Sequence, residues 1–197
     1  MKLARTLWIL RIFGVCLTSS VMTMPFAALA DDVAKADNPV LAELYKADQD
    51  ERNVDPSKVT TLDWNAIGAR DSLRLAKAHD LLRSGVVRTS HDYLRAALLF
   101  QHGESADDFR LAYSLAWIAS SLDGSNKEAR WLSAAAWDRL LMKLGHPQWY
   151  GTQFDKASAE SKWRIDPIDE SVTDEERASF GVPPLMELRK RLLEMNR

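Results

Sequence analysis

Cysteine is almost missing from this chain. The single one, Cys16, lies in the apolar opening segment, so residues 31–197 form no internal disulfide, thiol nucleophile or cysteine-based zinc site. Histidine is scarce as well: positions 79, 91, 102 and 146 stand alone, with no HxxxH or HExxH spacing. His91 and His102 share a helix face but lie roughly 16 Å apart at about 1.5 Å rise per residue, too far to hold one ion. A metal site would have to be assembled from separate helices with carboxylates; no metal and no cofactor is expected. GxSxG, GxxxxGK[ST] and a GxGxxG following a strand are all missing. That removes the nucleophile elbow, the phosphate loop and the dinucleotide fingerprint. Sustained apolar–polar alternation is missing too, which argues against strands.

The opening segment reads as a signal peptide of residues 1–30. Lys2, Arg5 and Arg11 make a basic start, Ile12–Val15, Leu17 and Val21–Phe26 an apolar stretch, and Ala28-Leu29-Ala30 a cleavage signature before Asp31-Asp32. A retained anchor is the alternative. Thr18-Ser19-Ser20 and Thr23 break the stretch and acidic residues follow it, which favours cleavage. A lipobox needs a small residue before Cys16 and finds Val15. A periplasmic or secreted protein with no integral membrane segment after cleavage is expected. Of the 197 residues 167 then remain, enough for one domain with a real core. The leader takes three of the 26 basic residues, leaving 23 against 28 acidic ones and a net charge of −5. Such a chain is a poor partner for nucleic acid.

What is present is helix after helix, in an all-α array of six or seven. Residues 31–37 are expected to be a flexible start and 38–197 a single helical domain. Asn38-Pro39 opens the first helix, which carries Val40, Leu41, Leu44 and Tyr45 on one face. The second runs from about Asp63 to Ser84 before Gly85. Thr89 with Asp92 opens the third, Ser105 with Asp108 the fourth, and Ser125 with Glu128 reads as the capping box of the fifth. Gly145 and Pro147 end the fifth. Thr173 with Glu176 opens a sixth, and Pro183-Pro184 leads into a seventh. Ala96-Ala97, Ala112, Ala116, Ala119 and Ala134-Ala135-Ala136 let helices approach closely. They invite comparison with tetratricopeptide or Sel1-type stacked hairpins, although no fixed period aligns one hairpin with another.

Polar residues on apolar faces supply the functional clues. Asp71 interrupts the stripe Trp64, Ile67, Leu75, Ala78 and Leu82, with Arg74 three residues on as its expected partner. Asp138 sits on an apolar face of the fifth helix, so it is expected to be buried and to need hydrogen bonds or a cation. It serves either the amides of a neighbouring loop or chemistry. His102, in the last turn of the third helix, is either a cap or a displayed acid–base group.

Residues 146–154, HPQWYGTQF, combine three aromatics with a hydroxyl and two amides between Pro and Gly bends. Such a loop suits recognition of a sugar or peptide, or serves as a lid on the helical array. Asp138-Arg139 with Gly145-x-Pro147-Gln148-x-Tyr150-Gly151-Thr152-Gln153, the upstream Gln101-His102-Gly103 and the downstream Asp166-Pro167-Ile168-Asp169 and Gly181-Val182-Pro183-Pro184-Leu185 resemble the signature of a bacterial all-helical family known only as a domain of unknown function. The resemblance spans roughly residues 38–188. It implies that Gln101, His102, Asp138, Arg139, Gln148, Tyr150, Thr152 and Gln153 belong to one polar cluster; it implies no activity. Three functions are expected to compete. One is binding of a small polar ligand, peptide or glycan through that cluster. The second is a hydrolase with His102 as general acid or base, Asp138 orienting it, and Arg139 or the amides holding an oxyanion. The third is an envelope scaffold.

Overall fold

The computed structural model describes residues 36–54, 62–156 and 161–197. Residues 1–30, expected to be a signal peptide, and residues 31–35 of the expected flexible start lie outside the described residues. Seven helices occur among those described: α1 (Pro39–Arg52), α2 (Trp64–Arg83), α3 (Ser90–Gln101), α4 (Ala106–Leu122), α5 (Lys127–Lys143), α6 (Asp174–Ser179) and α7 (Leu185–Met195). The all-α expectation therefore holds, with one small addition. Phe154–Asp155 (β1) and Arg164–Ile165 (β2) pair antiparallel, and Gln148 bridges Ile168 in parallel.

The helix starts show why each element begins where it does. Asn38 accepts the Leu41 N–H and Asp63 that of Ala66, each meeting an orphan amide of the first turn. Reciprocal capping boxes form at Thr89–Asp92, Ser105–Asp108 and Thr173–Glu176. The start of α5 differs from the sequence reading. Its cap is Asn126, which accepts the Ala129 N–H at 3.0 Å. Ser125 instead turns back, giving its N–H and hydroxyl to Asp123 Oδ1 at 2.9 and 2.6 Å. The ordered chain also begins before Asn38. Asp37 accepts the Thr89 hydroxyl at 2.7 Å and pairs with Arg95 at 2.9 Å.

Hydrogen bonds between elements fix the helix directions. At one end Asn38 N–H meets Asp92, and Asn126 reaches Ser90, whose hydroxyl donates to Ala119 O. At the other end Asp48 meets His102, and Arg139 meets the Gln101 carbonyl. So α1, α3 and α5 run parallel. α2, which ties its first half to the end of α1 through Arg52 and Asp71, runs against them, as does α4. This is the alternation of stacked helical hairpins. The caps Asn38, Thr89 and Asn126 are 51 and then 37 residues apart, so the spacing is not a fixed repeat.

The core follows from the alanines. Ala96, Ala97, Ala112, Ala116, Ala119, Ala129 and Ala136 are fully buried between α3, α4 and α5, with Leu99, Phe100, Leu115 and Leu132 filling the space around them. Trp64 and Trp131, placed on apolar faces by periodicity, lie exposed. A second, smaller core of Ala134, Tyr150, Val182 and Leu188 joins α5 to the loop and to the chain around α6 and α7. Among the described residues no helix is long and apolar enough to cross a membrane.

Candidate functional site

Asp138 is the hub of the loop that follows α5. Gly145, with φ near +79°, ends the helix in the left-handed conformation, and His146 N–H closes back on Leu141 O. The chain then wraps over the fully buried Asp138 carboxylate. Oδ1 accepts the N–H groups of Trp149 at 2.8 Å and Tyr150 at 3.0 Å; Oδ2 accepts the Thr152 N–H at 2.9 Å and its hydroxyl at 2.8 Å. Burial pushes the Asp138 carboxyl above the ordinary carboxylate range, and these four donors act against that rise.

The two glutamines complete the same internal lattice. Gln148 is fully buried: Oε1 accepts the Gln153 N–H at 2.8 Å, while Nε2 donates to Gln153 O at 3.2 Å and Asp166 O at 3.4 Å. Gln153 Nε2 donates to Ala135 O of α5 at 3.3 Å and to the Thr152 hydroxyl at 2.9 Å. Gly151 packs so tightly that a Cβ there would stand 2.7 Å from Ile168 Cδ1. The loop's polar atoms thus face inward.

The Trp149 ring faces the other way, while Tyr150 stays buried in the second core. Trp149 is 39% exposed, with its ring 5.2 Å from Trp137. Tyr150 meets Phe180 at 4.8 Å, and Phe180 meets Trp117, itself 50% exposed, at 6.1 Å. Burial pushes the Tyr150 phenol up to about 12, helped by Tyr113 and Asp138. A cleft of about 290 Å³ opens beside these rings, between Trp149, Tyr150 and Phe180 on one side and Asp169, Ser171 and Glu176 on the other. One oxygen of each acid is engaged locally: Asp169 Oδ1 accepts from Ser171, and Glu176 Oε2 caps α6 at Thr173. Their other oxygens take no hydrogen bond among the described residues. Arg177 holds the cleft together from below. Only 1% exposed, it donates to Val172 O at 2.6 Å and Trp149 O at 3.2 Å.

His102 belongs to a different system. Its Nδ1 lies 2.9 Å from Asp48 Oδ1 on α1, and Asp48 also takes Arg52 at 2.7 Å and the Gln49 amide at 2.7 Å. Arg52 continues to Asp71 at 2.5 Å; Asp71 pairs with Arg74 at 2.8 Å, as the spacing predicts, and Arg74 with Glu51 at 2.7 Å. Burial alone would raise the Asp48 carboxyl, but the bond to His102 and the charges of His102 and Arg52 outweigh it and hold the group below its ordinary range. Arg139 lies at the same end, its Nη1 3.3 Å from Gln101 O.

The single polar cluster expected from the sequence therefore resolves into two. Asp138, Gln148, Tyr150, Thr152 and Gln153 form the loop lattice, whereas Gln101, His102 and Arg139 stand at the C-terminal end of α3. The His102–Asp138 pairing expected for a hydrolase gives way to His102–Asp48, because all four donors around Asp138 come from the loop. Sequence reasoning missed Asp48, although it falls seven residues after Leu41 on the buried face of α1. It also missed Arg52, and it named Asp169 only as part of the family signature, not as a cleft residue. Among the described residues no group of three His, Cys, Asp or Glu side chains converges to hold a metal ion. Comparison with family models, curated proteins and solved structures finds no match to this chain.

Proposed function

We propose that the chain is an exported helical binding module, periplasmic or secreted, whose ligand surface is the aromatic cleft beside the 146–154 loop. The observation that carries this reading is the division of labour within the loop. Asp138 and the two glutamines consume its polar atoms, yet Trp149 presents its ring to solvent on a backbone fixed from within. Rigid aromatic faces offer contact area at low cost in conformational entropy. Trp149 provides such a face in the cleft, with the exposed Trp117 beyond Phe180, and Asp169, Ser171 and Glu176 line the same cleft with polar groups for hydroxyls. A sugar ring has an apolar face and a hydroxylated rim, so a glycan fits this chemistry better than a charged small molecule. The mildly acidic chain and the leader-like opening support an address for that glycan in the cell envelope or beyond it.

The test is a thermal-shift titration with cell-wall saccharides, comparing the wild type with Trp149→Ala and Gln153→Ala. A saccharide is expected to raise the melting temperature of the wild type and of Gln153→Ala, each from its own baseline, and to leave Trp149→Ala unmoved. Retention of the response in Trp149→Ala would sink the proposal, as would a wild type that responds to none.

A further inference from the structure

A second site stands apart from the aromatic cleft, where α1, α3 and α5 end together. Arg139 reaches this point from α5 as a half-buried side chain. Its one hydrogen bond is the 3.3 Å contact with Gln101 O, and its Nε is buried without a partner. Beside it, Gln101 is only 7% exposed, and its Oε1 is also buried without a partner. An unmet donor and an unmet acceptor thus belong to two residues already in contact through the Gln101 carbonyl; among the described residues Glu51 Oε2, Trp137 Nε1 and Arg177 Nε are the other buried side-chain polar atoms without a partner. Buried groups of this kind are costly and call for a partner.

The local charges sharpen the point. Asp48, Asp71 and Glu51 supply three carboxylates, facing Arg52, Arg70, Arg74 and now Arg139. Arg52 uses Asp48 and Asp71, Arg74 uses Asp71 and Glu51, and Arg70 uses Glu51; among the described residues none of the three carboxylates pairs with Arg139, and Glu51 Oε2 takes no hydrogen bond. Burial and the charge of Arg52 both lower the pKa of Arg139, so the guanidinium lacks a counter-charge. The negative end of α3 offers it a partial one through the Gln101 carbonyl. That contact leaves Nε and Gln101 Oε1 as they are.

We infer that Arg139, Gln101 and His102 form a binding site for a carboxylate that carries a neighbouring N–H or O–H donor, as the C-terminus of a peptide does. A carboxylate offers two oxygens to the fork of a guanidinium. The ligand's donor meets Gln101 Oε1, and His102, in the form that carries a hydrogen on both ring nitrogens, gives Nδ1–H to Asp48 and Nε2–H to the second carboxylate oxygen. Arg52, bound to the same Asp48 as His102, lines an open cleft of about 380 Å³ on the α1 side with Tyr45, Gln49, Asp50 and Asn53.

The probes are N-acetylglycine, its amide, acetate and inorganic phosphate, titrated calorimetrically into the wild-type protein. N-acetylglycine is expected to bind at least ten-fold more tightly than acetate or the amide, and phosphate no better than acetate. Trp149→Ala should leave that binding unchanged, which separates this site from the aromatic cleft. Gln101→Glu places a carboxylate beside Arg139 and is expected to raise the melting temperature while weakening N-acetylglycine at least ten-fold. Arg139→Gln should abolish binding with the helical circular-dichroism spectrum retained. Equal binding of the amide, equal response to all anions, or no binding to the wild type would overturn the inference; the last would mean that ordered water meets the two groups. A destabilised Gln101→Glu that still binds N-acetylglycine would overturn it as well.

Discussion

Thr152 gives both its backbone N–H and its hydroxyl to one oxygen of Asp138, Oδ2, at 2.9 and 2.8 Å. The other oxygen takes Trp149 and Tyr150. Asp138→Asn keeps one acceptor and turns an NH₂ group toward two donors that have no alternative. Each orphaned donor costs about 1–3 kcal/mol, so chemical denaturation should show a loss of several kcal/mol. Thr152→Val removes one donor to Asp138 and the acceptor of one Gln153 Nε2–H, and should cost about 1–3 kcal/mol. Equal stability of Asp138→Asn and wild type would mean that the carboxylate does not hold the loop.

Two glycines with the same φ near +79° should respond differently to alanine. At Gly145 a Cβ meets nothing within 4 Å, so Gly145→Ala carries only the left-handed backbone cost of about 1–2 kcal/mol. At Gly151 the Cβ would press on Ile168 Cδ1 at 2.7 Å and Leu188 Cδ1 at 3.0 Å, adding about 1–3 kcal/mol of overpacking. Melting curves that rank the two variants the other way would show that the loop has slack against α7.

Acid should weaken the protein through Asp48. Its folded pKa lies below the ordinary 3.8, so its stabilising contribution is complete above that value and is lost as pH falls through the lower folded one. Glu51, held below its ordinary range by Arg74 and Arg70 despite its own burial, acts in the same sense. Asp138 acts in the opposite sense, between its raised folded value and 3.8. Urea midpoints at about pH 5 and about pH 3 should differ less in Asp48→Asn than in the wild type. An unchanged acid loss in Asp48→Asn would place the sensitivity elsewhere.

The helices were legible because their signals are local. Asn38-Pro39, Thr89–Asp92 and Gly145–Pro147 each act within a few residues, and the structure uses all three. Ser125 misled because Asp123 competes for it at a distance of two residues, a contest that a three-residue capping rule does not weigh. In the site, buried Asp138 and the loop beside it were legible from a carboxylate on an apolar face followed by a polar loop. Which carboxylate meets His102 was not. That depends on α1 lying parallel to α3, a relationship no local pattern encodes. Nor does residue type say which way a side chain points, and in Trp149 and Gln153 the ring goes out while the amide goes in.

The most direct measurement follows the indole N–H resonances of a ¹⁵N-labelled protein during titration with a cell-wall saccharide. Trp149 and Trp117, the exposed rings, should shift together along a saturating curve, while Trp137, whose Nε1 is buried without a partner, stays in place. If the saccharide binds with the Trp149 and Trp117 indoles unmoved, the aromatic face of the loop is not the ligand surface.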